Sequence, residues 1–95
     1  MVEKTSQNWT IRISTKAGNY FSKFGKPTKD SIRAELTALA AYKNPLEHPE
    51  AKPLLGPFKG LSRLRVGGYR VVFGLLKKER IISVVNIAPR GDVYR

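Results

Sequence analysis

Arg63, Arg65 and Arg70 lie on either side of Gly67-Gly68, within the run Leu61-Ser62-Arg63-Leu64-Arg65-Val66-Gly67-Gly68-Tyr69-Arg70-Val71-Val72-Phe73. Grouped guanidinium ions bind phosphate, because each presents a planar fork of donors matching two phosphate oxygens and keeps its charge at any working pH. Spacing decides whether these three act together. Two runs that alternate apolar with other residues flank a Gly-Gly pair, the pattern of a hairpin closed by a two-residue turn of positive φ. With Gly67 and Gly68 as the loop, Val66 faces Tyr69, Arg65 faces Arg70, Leu64 faces Val71 and Arg63 faces Val72, while Leu64, Val66, Tyr69 and Val71 share or border the core. Like charges directly opposite one another are destabilising by roughly 0.2–1 kcal/mol. The residues alone leave two readings of this face, a solvated polar side of an antiparallel sheet or a site for an anion.

The elements that must position the hairpin follow from periodicity. Trp9-Thr10-Ile11-Arg12-Ile13-Ser14 alternates with Trp9, Ile11 and Ile13 inward and predicts a first strand. Ser14 or Thr15 caps a short helix whose stripe is Ala17, Tyr20, Phe21 and Phe24, ending at Gly25. A second helix runs from about Thr28 to Lys43, with Ile32, Leu36, Leu39, Ala40 and Tyr42 on its apolar side, and Asn44-Pro45 terminates it. The two should form a helical hairpin. Pro45, Pro49, Pro53 and Pro57 make residues 46–57 read as a loop crossing to the sheet. Lys77-Lys78-Glu79 predicts a turn, and the nearly continuous apolar run Ile81–Ala88 a strand covered on both faces or central in the sheet, ended by Pro89. The order is β-α-α-β-β-β, an α+β fold with a helical hairpin packed on a curved, mainly antiparallel sheet, in one domain spanning residues 1–95.

Eighteen Lys and Arg against seven Asp and Glu give a formal charge of +11, which points to a polyanionic partner. No apolar run approaches the roughly 20 residues of a membrane span, and the N-terminal residues lack the apolar stretch of a signal peptide, so the expected location is cytoplasmic. Zero cysteines and one histidine exclude disulfides, thiolate catalysis and Cys- or His-cluster metal sites, and no cofactor is expected. His48, in Leu46-Glu47-His48-Pro49-Glu50, reads as solvated rather than catalytic. Lys16, Lys23, Lys26 and Lys29 read as solvated charges that add to the steering field, and Trp9, Tyr20, Phe21 and Phe24 as core.

The element order, the Arg-Leu-Arg-Val-Gly-Gly-Tyr-Arg hairpin and the terminal Ile-Ala-Pro-Arg-Gly-Asp-Val-Tyr (87–94) together resemble the RelE/ParE superfamily of toxins from type II toxin–antitoxin systems, over nearly the whole chain. In the RelE branch, the resemblance implies an mRNA interferase that cleaves mRNA in the ribosomal A site and is blocked by a cognate antitoxin. Carried over position by position, Arg70 matches the arginine that holds the scissile phosphate and Arg63 a basic residue of the preceding strand. Arg90 matches the arginine after the last strand, and Tyr94 the C-terminal tyrosine that stacks on or deprotonates the substrate. Lys59 and Arg65 are basic neighbours expected to bind RNA. One departure is Ala88-Pro89-Arg90 where many relatives have Gly-His-Arg, which removes any role for that histidine.

RNA carries its own nucleophile, so such a site needs charge stabilisation and orientation rather than a metal. Arg70 and Arg63 would clamp non-bridging oxygens, Arg90 would neutralise the leaving 5′-oxygen, and Tyr94 would stack on a base or take the 2′-OH proton. Arginines are poor proton carriers, so activity on free RNA should be weak without the ribosome and its 16S rRNA. Two other readings stand beside this one: a ParE-like inhibitor of DNA gyrase, and a non-catalytic RNA- or ribosome-binding module or degenerate toxin.

Overall fold

In the computed structural model, which describes residues 8–89, five strands and two α-helices build one mixed sheet covered on one face. Strand β1 is Thr10–Ile13, followed by helices α1 (Thr15–Ser22) and α2 (Lys26–Ala41). The remaining strands are β2 (Ala51–Pro53), β3 (Ser62–Val66), β4 (Tyr69–Leu76) and β5 (Ile81–Pro89). The sheet order is β1-β5-β4-β3-β2, with β1 parallel to β5 and every other pair antiparallel. This is the expected α+β arrangement with one strand more.

The hairpin forms in the expected register, with Val66 opposite Tyr69, Arg65 opposite Arg70, Leu64 opposite Val71 and Arg63 opposite Val72. Gly67 takes φ 57°. Gly68 does not need positive φ, so the strain of the turn rests on one glycine, as in a type II′ connection. Leu64, Val71 and Phe73 are fully buried and meet Ile32, Leu36 and Leu39 of α2 and Ile82, Val84 and Ile87 of β5 in a single core. An irregularity between Val72 and Phe73 leaves Val85 of β5 without a partner on β4, so that Val84 and Ile87, three residues apart, both point inward.

Ser14 fixes the junction of β1 and α1. Its Oγ accepts the N–H of Ala17 at 3.1 Å, capping α1, and donates to the Val85 carbonyl at 3.2 Å. Helix α1 ends at Ser22, short of the expected Gly25, and Phe24 packs beyond it against Tyr69, with ring centroids 4.8 Å apart. Tyr20, expected in the core, is 44% exposed, because so short a helix buries only the Ala17 and Phe21 side. Ile13, expected inward, is 40% exposed: it ends an edge strand, and the residue of α1 above it is Gly18, which has no side chain to cover it. Helix α2 starts two residues earlier than expected because Pro27 fits its first turn, and Tyr42 follows the helix as its C-cap.

The proline-rich segment departs furthest from expectation. It is not simply a loop: 3-10 turns at Pro45–Glu47 and Gly56–Phe58 bracket β2, in which Ala51, Lys52 and Pro53 pair with Leu64, Arg63 and Ser62. Proline is tolerated there because β2 is an edge strand. His48, expected to be solvated, is 7% exposed. Its Nδ1 accepts the backbone N–H of Glu50 at 3.0 Å, so the ring proton sits on Nε2, which lies 3.1 Å from Oε1 of Glu35 and donates to it. The imidazole thus ties the start of β2 to α2, and it sits 5.6 Å from the Tyr42 ring.

Two outcomes follow for thermal unfolding. Gly67→Ala should lower stability by about 1–2 kcal/mol through backbone strain alone, since a Cβ there meets nothing within 4 Å, whereas Gly68→Ala should stay within about 0.5 kcal/mol of the native protein. His48→Ala should be destabilising by about 2 kcal/mol, because it leaves the Glu50 N–H without its acceptor and opens the contact with α2.

Candidate functional site

Alternation along β3 and β4 sends Arg63, Arg65, Arg70 and Val72 to the sheet face opposite the helices. On that face Val72 and Ala88 are buried and packed by Leu54, Leu61 and Val85, a small second apolar cluster. Arg70 pairs in register with Arg65 on one side and Ala88 on the other. It is itself only 8% exposed, and its Nη1 donates to the carbonyl of Tyr69 at 3.3 Å. Among the described residues no ion pair joins Arg70 or Arg63 to a carboxylate. A guanidinium this poorly hydrated and without a counter-ion gains strongly from an incoming anion.

Arg63 is half-buried, and its Nη1 donates to the Glu50 carbonyl at 3.3 Å. Arg65 is more exposed and already paired: its Nε donates to Oε1 of Glu50 at 2.9 Å. That hydrogen bond and the charge of Arg65 hold the Glu50 carboxyl below the ordinary carboxylate range, with Arg63 and His48 adding to the effect. The three arginines share a face but not a state: among the described residues two lack a carboxylate partner and one is neutralised.

Lys52 of β2 was hidden by the loop reading of its segment. It is exposed and pairs in register with Arg63, which makes a second like-charge cross-strand pair on the same sheet. Nothing in the local pattern marks a three-residue strand ending in proline. Lys59 follows the 3-10 turn between β2 and β3, exposed, at the end of β3 away from Arg65 and the Gly67 turn. The structure therefore does not bring it beside Arg70. Arg90 and Tyr94 lie outside the described residues, and the strand that leads to them ends at Pro89, opposite Tyr69.

A groove of about 540 Å³ opens between α2 and the hairpin tip, lined by Glu35, Glu50 and Arg65 with Ser31, Ala34, Val66 and Gly67. Two carboxylates against one arginine make it a poor receptor for phosphate, and Arg70 is not on its wall. Among the described residues no cluster of His, Asp or Glu could hold a metal ion, and no helix is long and apolar enough to cross a membrane. The chemistry available is the binding and charge stabilisation of an anion on an open strand face.

The family described as ParE toxin of type II toxin-antitoxin system, parDE, matches residues 11–94. No curated relative matches the sequence. The fold is similar to that of an archaeal RelE–RelB complex from Pyrococcus horikoshii, with a TM-score of 0.72 and 22% identity over 90% of this chain and 98% of that one. It is also similar to the RelBE2 toxin–antitoxin complex of Mycobacterium tuberculosis (TM-score 0.65, 20% identity, 87% and 99% of the two chains). YafQ from E. coli gives a TM-score of 0.71 at 15% identity, over 92% and 99%. The family match covers nearly the whole chain and the fold agrees with it, so this protein belongs to the ParE toxin family of type II toxin–antitoxin systems, within the RelE/ParE superfamily.

Proposed function

We propose that the protein is a ribosome-dependent endoribonuclease that cleaves mRNA in the A site and is restrained by a cognate antitoxin. The observation that carries this reading is Arg70, nearly buried on an open sheet face and without a carboxylate partner among the described residues, on the same face as a half-buried Arg63 that also lacks one. In the reaction, the ribose 2′-oxygen attacks the adjacent phosphorus, a 2′,3′-cyclic phosphate forms, and the bond to the 5′-oxygen breaks. Arg70 and Arg63 bind the non-bridging oxygens and stabilise the extra negative charge of the phosphorane. Arg90 stands by the leaving oxygen, and Tyr94 stacks on a base or takes the 2′-OH proton, as the family resemblance implies. None of the described arginines is suited to move a proton, so the ribosome completes the site. Antitoxin partnership is supported by the RelE–RelB and RelBE2 structures, which are toxin–antitoxin complexes.

The matching family is the ParE one, which favours a second reading, inhibition of DNA gyrase by the same scaffold. Primer extension on a defined mRNA in 70S ribosomes with an empty A site, beside the same mRNA free in solution, tests the first reading. Cleavage within the A-site codon only when ribosomes are present is expected. Absence of cleavage in both, with trapping of gyrase on plasmid DNA, would establish the second. For the nuclease, Arg70→Ala should reduce cleavage by about 10²–10³ while ribosome binding changes by no more than one phosphate's share, and Arg70→Lys should rescue only partly because it loses the bidentate fork.

A further inference from the structure

Glu50 hydrogen-bonds both Arg63 and Arg65, and its N–H, its carbonyl and its carboxylate each have a partner. Its N–H donates to Nδ1 of His48 at 3.0 Å. Its carbonyl accepts the Arg63 Nη1 at 3.3 Å and the backbone N–H of Arg65 at 3.1 Å. Its Oε1 accepts the Arg65 Nε at 2.9 Å. The tether continues through His48 to Glu35 on α2, so the position of Glu50 is set from the helical layer.

Resting on the nuclease reading, we infer that Glu50 is a positioning residue: its carboxylate occupies Arg65, its carbonyl holds Arg63, and phosphate binding falls to Arg63 and Arg70. Arg65 and Arg70 face each other across the hairpin, and a phosphate arriving there has two guanidinium ions to choose from. A carboxylate on Arg65 removes the choice. It also halves the charge of the pair, so that Arg65 acts as a strut between β3 and the start of β2. The phosphate then seats on the strand that also abuts Ala88 and the β5 end, where Arg90 follows in the chain.

Glu50→Gln tests this with the main chain left intact, so the bonds to His48 and Arg63 persist and a thermal melt checks the fold. Binding of the full chain to a single-stranded RNA oligonucleotide is measured against salt concentration for the native protein, Glu50→Gln, Arg65→Met and the double variant. Releasing Arg65 should steepen the slope of log K on log salt by about 0.7, the share of one phosphate on a single strand, in Glu50→Gln. Arg65→Met alone should leave the slope unchanged, and in the double variant it should return the slope to the native value. An unchanged slope in Glu50→Gln, or a loss of about 0.7 in Arg65→Met alone, would overturn the inference, because Arg65 would then be a phosphate ligand in the native chain.

On programmed ribosomes Glu50→Gln should lower kcat by about tenfold to a hundredfold without raising KM, the split expected when substrate is held as tightly but off its reactive position. A rise in KM with unchanged kcat would also overturn it. If the native chain does not cleave, the nuclease reading fails, and the salt slopes still decide whether Glu50 occupies Arg65.

Discussion

A slip of β3 by one residue against β4 would turn Arg63 and Arg65 under the helices and bring Leu64 and Val66 out to water. The rest of the molecule depends on that slip not occurring. The turn at Gly67 sets the pairing at one end. The bulge against β5 adjusts it at the other, allowing Phe73 and Val84 to stay in the core after the strands have lost a residue of alignment. Between these two points, alternation does the sorting: one face is dry enough to hold the helices, and the other carries the charge.

That second face is unfavourable electrostatically. Lys52 opposes Arg63 and Arg65 opposes Arg70, so both cross-strand neighbours of β3 put cation against cation. The fold offsets this unequally. Glu50 neutralises Arg65, and a histidine with both ring nitrogens engaged keeps Glu50 in place. Arg70 receives only a backbone carbonyl among the described residues and lies beside an apolar cluster that limits its hydration. Electrostatic cost therefore remains where an anion can relieve it.

Local patterns revealed the hairpin because a two-residue turn dictates every pairing that follows, and so the faces of Arg63 and Arg70 were legible from the chain. Helical periodicity gave the side of α1 that turns inward but not how far its cover reaches, which is why Tyr20 and Ile13 emerged exposed. The contacts that escaped detection are those between segments distant in sequence. His48 meets a glutamate on α2, and Arg65 meets one at the end of the proline-rich crossing, pairings that no run of neighbouring residues announces. Lys52 was missed for a related reason: a three-residue edge strand has too little alternation to be seen, and its proline argues against it until the edge position is known.

The parallel pairing of β1 with β5 bears on how the protein comes into being. Ser14, at the end of β1, is bound to Val85 of β5 across 71 residues of chain. During synthesis the first strand thus emerges long before its partner, and the helices that follow it have only part of a sheet to rest on. Long-range closure of this kind delays completion of the fold until β5 has been made. The arginine face is completed only when β5 docks between β1 and β4, so a nascent copy carries no finished arginine face until its last strand has been made.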